Sequence, residues 1–168
     1  MMNVSLKKPS EFENLSVIEY FRFEEDFIEQ NVRCIPMIVR FKMDAAGIKL
    51  KLADWSKFNV VERKELAVMK CLTIREVSEY RRYLVELVGK YTGLAATPIE
   101  IEANPAWANH YAIPFLVDER ATELGIEVNL LQWRELTNLQ RFALIKLSRP
   151  GHESRNFIKA LYEFGIKK

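Results

Sequence analysis

The chain has 168 residues with 25 basic and 23 acidic side chains, a balance of +2 that excludes a dedicated nucleic-acid binder of the strongly basic kind. It is long enough to bury about 68–70% of the surface its unfolded form exposes, yet no window approaches the ~18 apolar residues of a membrane span. Only two cysteines occur, Cys34 and Cys71, without a CxxC pair or the spacing of a disulfide framework, which fits a reducing cytoplasm.

Residues 1–15 read as a loose lead-in; Met1 to Pro9 carries lysines but not the apolar core of a secretory signal. Ser16-Val17-Ile18-Glu19 forms a capping box, and Val17, Tyr20, Phe21, Phe23, Phe27 and Ile28 give the expected helix, to about Gln30, a broad apolar face. Glu24, Glu25, Asp26 and Glu29 crowd its other side as a solvated face. Next comes a unit in which Pro36 opens a helix to Ala46, closed by Gly47, because proline's missing N–H is an orphan at a helix start and glycine accepts the left-handed cap. One or two turns follow over Leu52 to Phe58. The box Asn59-Val60-Val61-Glu62 then opens another helix, and Thr73-Ile74-Arg75-Glu76 opens an amphipathic one expected to end near Gly89.

The stretch 91–112 is read as a linker punctuated by Thr92-Gly93 and Thr97-Pro98, with a short helix from Asn104-Pro105 through Trp107 and His110. The first unit then recurs. Residues 35–66 lie over 113–144 without a gap, with identities at Ile35/Ile113, Pro36/Pro114, Val39/Val117, Gly47/Gly125, Ile48/Ile126, Leu52/Leu130, Trp55/Trp133, Arg63/Arg141 and Leu66/Leu144. In this second copy Leu130 to Leu136 can form one or two turns, and Thr137-Asn138-Leu139-Gln140 is a capping box that opens a further helix. Trp55 and Trp133 are read as wedges between the helices of their own units. The expected fold is all-α, a single compact helical domain (1–168) of about eight helices. Its parts are 16–90 with the first unit, the linker 91–112, and 113–168 with the second unit, and the two units are expected to pack about a pseudo-twofold axis.

The second unit ends in Ser148-Arg149-Pro150-Gly151-His152-Glu153-Ser154-Arg155-Asn156, which has no counterpart after the first. Two guanidiniums, a histidine and the free N–H groups of a helix start suggest an anion or partner site of Arg149, Gly151, His152, Arg155 and Asn156. The alternative is that Glu153 neutralises one arginine while Asn156 or His152 caps the turn. Secondary candidates are Arg33, Cys34, Arg40 and Lys42, where a thiol beside a helix start could lie against a basic strip. Two histidines without metal-ligand spacing make no recognisable zinc site, and no GxSxG, P-loop or GxGxxG occurs. Neither a catalytic residue nor a cofactor is expected.

The run Phe23-Glu24-Glu25-Asp26-Phe27, Arg33-Cys34-Ile35-Pro36-Met37, Arg40-Phe41-Lys42-Met43-Asp44, Gly47-Ile48-Lys49-Leu50 and Trp55 resembles the nitrate reductase associated proteins. So does the closing stretch of Trp133, Gln140-Arg141-Phe142-Ala143-Leu144, Arg149-Pro150-Gly151-His152-Glu153 and Arg155-Asn156-Phe157. The resemblance covers about residues 20 to 165. It implies an accessory or maturation factor rather than a catalyst, acting in the cytoplasm on nitrate reductase or its maturation machinery, without nucleic acid or membrane as partner. It transfers no catalytic role to any residue.

Overall fold

In a computed structural model, residues 12, 18–24 and 34–167 are described, with the side chains of 152 and 153 excepted. The fold is all-α: eight α-helices and one two-residue strand pair occur among the described residues. They fall into two units. The first holds Glu24–Ile99 with the described residues up to Tyr20, and the second holds Phe21–Phe23 with Glu100 onward.

The first unit begins with α1 (Met37–Ala46). Pro36 stands at its N-cap with extended backbone, and has no side chain to cap with. The Glu24 carboxylate does so instead, accepting the Met37 N–H at 2.7 Å from 13 residues upstream. Gly47 (φ 66°) closes α1 in the left-handed conformation. The chain then forms β1 (Ile48–Lys49), paired antiparallel with β2 (Thr97–Pro98), Ile48 opposite Pro98. Leu50 and Lys51 lead into α2 (Leu52–Trp55), and α3 (Val60–Val68) carries the expected Asn59/Glu62 capping box. The long helix α4 (Ile74–Thr92) carries the Thr73/Glu76 box. It does not stop near Gly89 but runs on to Gly93 (φ 69°), because Lys90 and Tyr91 in that extra turn anchor to Glu62 on α3. The buried face of α4, with Tyr80, Leu84, Leu87 and Val88, joins Val39, Trp55, Phe58, Leu66 and Ala67 in the core.

The helix expected over 16–30 is not seen where it is described: 18–21 are irregular and only Arg22–Glu24 forms a 3-10 turn. Its Ser16 cap and the stretch 25–30 lie outside the described residues. In the second unit, Phe21 packs on Phe23 (5.3 Å between rings) and Phe164 (4.9 Å), while the Glu163 carboxylate accepts the N–H groups of Arg22 and Phe23.

The short helix expected through His110 is only a 3-10 turn, Ala106–Ala108. Pro114 precedes α5 (Phe115–Glu123), closed by Gly125 (φ 68°) with the Ile126 N–H returning to Ala121. Helix α6 (Leu130–Glu135) has its own Asn129/Gln132 capping box, α7 (Asn138–Ser148) the expected Thr137/Gln140 box, and α8 (Phe157–Glu163) follows a third 3-10 turn, His152–Asn156. Val117, Trp133, Phe142, Leu144, Phe157 and Leu161 form the interior of this unit.

Local structure therefore matches at equivalent positions of 35–66 and 113–144: an extended proline before a helix, a left-handed glycine after it, a short helix ending on or near a buried tryptophan, and a boxed helix start. The two arginines match as well. Arg63 Nη1 donates to the Phe58 carbonyl and Arg141 Nη1 to the Leu136 carbonyl, each at 2.5 Å.

Candidate functional site

Helix α7 buries Arg141 almost completely, and its guanidinium meets no carboxylate among the described residues. Nε donates to the Trp107 carbonyl (2.7 Å), Nη1 to those of Trp133 and Leu136, and Nη2 to Asn138 Oδ1 and His110 Nε2. Burial lowers its pKa. An arginine can only donate, so His110 receives this bond on an unprotonated Nε2. Trp133 Nε1 adds a bond to the Asn109 carbonyl at 2.9 Å. Together these fasten 107–110 to α6 and α7.

Fastening this stretch leaves the next residue outside. Tyr111 is exposed, with the Arg134 guanidinium 5.7 Å from its ring centre. His110, Tyr111, Leu131, Arg134 and Glu135 line an open cleft of about 520 Å³. Phe115, Leu116 and Leu130 are also exposed in this unit. Scattered exposed apolar groups are ordinary, but two aromatics above 70% exposure within five residues are not a packing requirement of the unit that carries them.

The turn 149–156 has a different construction from the one expected. Arg149 ends α7 and is exposed, as is Arg155. Gly151 takes φ 154°, a region that side chains other than glycine's rarely enter. The N–H and hydroxyl of Ser154 both donate to the Gly151 carbonyl, and the Phe157 N–H donates to the Ser154 carbonyl. Those donors are engaged inside the turn, which is a 3-10 segment rather than an α-helix start. Asn156 is buried, and its Oδ1 has no hydrogen-bond partner among the described residues. The His152 side chain lies outside the description.

The secondary candidates differ in placement. Arg33 lies outside the described residues, Cys34 is buried and Arg40 half-buried. Lys42 turns inward, where its ammonium donates to the carbonyls of Ala67 (2.5 Å) and Met69 (2.7 Å) at the end of α3. Burial lowers its pKa to about 8, against the pull of Cys71. Cys71 Sγ donates to the Lys42 carbonyl at 3.8 Å, and burial raises its thiol to about 11. The sequence signal for this inward lysine was its place between Val39, Met43 and Ala46 on the buried face of α1. Among the described residues, no group of three or more His, Cys, Asp or Glu side chains could hold a metal ion, and no helix is long and apolar enough to cross a membrane.

Neither a curated protein nor a solved structure matches this chain. A family model described as conserved nitrate reductase-associated protein matches residues 20–164. That span takes in the Glu24–Met37 contact, both tryptophan units and the turn at Gly151, so the chain belongs to the nitrate reductase-associated protein family.

Proposed function

We propose that the protein is an accessory or maturation factor that supports production of active nitrate reductase by binding the reductase or a protein that matures it. Family membership over residues 20–164 carries this reading. The exposed Tyr111, Phe115 and Leu131 support it, because they offer apolar contact area that the fold itself does not use. Arg149 and Arg155, exposed on either side of a turn braced by Ser154, are the proposed polar contacts for a partner's carboxylates. The reading places the protein in the cytoplasm, in keeping with two cysteines that form no disulfide with each other. A small anion held by the turn alone is the weaker reading, since the Ser154 and Phe157 N–H groups already have acceptors.

The test is affinity capture from nitrate-grown cells, with the protein as bait and nitrate reductase identified by immunoblot and its maturation proteins by mass spectrometry. The wild type retains one of them. The Arg149→Ala/Arg155→Ala variant retains less at an unchanged thermal midpoint, because exposed charges contribute only ~0–1 kcal/mol to folding. Full reductase activity in cells lacking the protein would overturn the proposal.

A further inference from the structure

Helix α4 buries one face, and its opposite face is an ordered pattern of charge that no other element of the first unit uses among the described residues. Arg75, Arg82 and Gly89 recur every seventh residue along the crest, and Glu79 and Glu86 flank them. All five are exposed. Arg75 bonds Glu79 within the helix at 2.9 Å. Arg82 and Glu86, one turn apart and suited to the same pairing, make no ion pair among the described residues.

Two further observations lie on this face. Leu72, just before the helix, is 86% exposed, although a residue at that position commonly packs back on the first turn. Gly89 sits inside the helix, where glycine weakens the structure, and a Cβ built there would touch nothing within 4 Å. Packing among the described residues of the first unit therefore accounts for neither the protruding leucine nor the missing side chain.

We propose that this face of α4 is the contact between two copies of the chain, set antiparallel about a twofold axis near Tyr80 and Arg81. In that register Arg75 faces Glu86 of the second copy, Arg82 faces its Glu79, and Leu72 sits over its Gly89. The twofold axis repeats each contact, so one stripe supplies four charge pairs and two leucine-on-glycine contacts. The pattern is self-complementary only when the helices run in opposite directions; a parallel pair in register sets Arg82 against Arg82. A second copy is thus favoured over an unrelated partner by charge complementarity read from a single sequence.

Light-scattering mass measurement of the full chain over a concentration series tests this. The wild type forms a dimer whose dissociation constant rises with added salt. Glu79→Arg or Arg82→Glu each sets like charges together twice and weakens the dimer by about tenfold or more. The combined Glu79→Arg/Arg82→Glu variant recovers it. Circular dichroism of each variant confirms the helix content, and rescue by the double exchange separates a broken contact from a damaged fold. A wild type that stays monomeric throughout, or a dimer whose stability neither single reversal changes, overturns the proposal.

Discussion

The Glu24 carboxylate accepts the Met37 N–H at 2.7 Å and caps a helix whose own N-cap residue, Pro36, cannot. Glu24 is buried, so its replacement leaves a helix-end donor with no acceptor. Glu24→Ala is expected to lower unfolding free energy by roughly 1–3 kcal/mol in urea titrations. A change below ~0.5 kcal/mol would mean that Pro36 alone starts the helix.

Trp55 and Trp133 are each sealed inside a unit. Trp55→Ala and Trp133→Ala should each cost ~3–5 kcal/mol in chemical denaturation. Trp133→Phe isolates the indole bond to the Asn109 carbonyl, and is expected to cost about 1 kcal/mol in the same assay.

We propose that residues 35–66 and 113–144 are copies of one ancestral unit, on the strength of the paired Arg63–Phe58 and Arg141–Leu136 bonds. Both guanidiniums close the chain turn preceding their helices. Arg63→Met and Arg141→Met should then both destabilise the protein, by roughly 1–3 kcal/mol for the carbonyls left unpaired. Denaturation midpoints that move for one arginine and not the other would contradict equivalent roles.

Glu62 joins α3 to the far end of α4, with Lys90 at 2.6 Å on one oxygen and the Tyr91 hydroxyl at 2.7 Å on the other. Burial pushes its pKa up, but the bonds from Lys90, the Asn59 N–H and Tyr91 outweigh this and lower it. A depressed folded-state pKa stabilises above the unfolded value, near 4.3, and that stability is lost as pH falls through the folded value. Wild-type stability should thus drop below about pH 4.3 more steeply than that of Glu62→Gln, measured as thermal midpoint against pH.

Lys42 and Cys71 predict opposite slopes in alkali. The Lys42 pKa falls from 10.5 to about 8, so between these values the unfolded chain binds more protons, and this group makes stability rise with pH. The Cys71 pKa rises from 9.0 to about 11, so across that interval the folded chain holds its proton longer and stability falls with pH. Cys71→Ser should reveal the rising slope of Lys42 from pH 8 to 10. Lys42→Met should leave only the decline, though its overall stability falls because the Ala67 and Met69 carbonyls lose their donor.

The helix starts at Asn59, Thr73 and Thr137 were legible because a capping box is local: four residues contain both hydrogen bonds. Asn129 and Gln132 form the same box at the start of α6, where the sequence pattern predicts only one or two turns over Leu130 to Leu136. Glu24 capping Met37 was not legible, since no local rule links residues 13 positions apart. For the turn, the sequence displayed its arginines and glycine, but not that Ser154 would close it on Gly151. Lys42 shows the limit of reading charge as exposure, because its stem belongs to an apolar face and its ammonium finds carbonyls beneath.

One sealed indole per unit also makes the chain its own pair of optical probes. With Trp107 and one of the two buried tryptophans replaced by phenylalanine, emission follows the surroundings of the other alone. Trp55 then reports the opening of the Glu24–Ile99 unit, and Trp133 that of the unit from Glu100 onward. Coincident transitions would mark one cooperative body, whereas separated ones would give each half a folding free energy of its own.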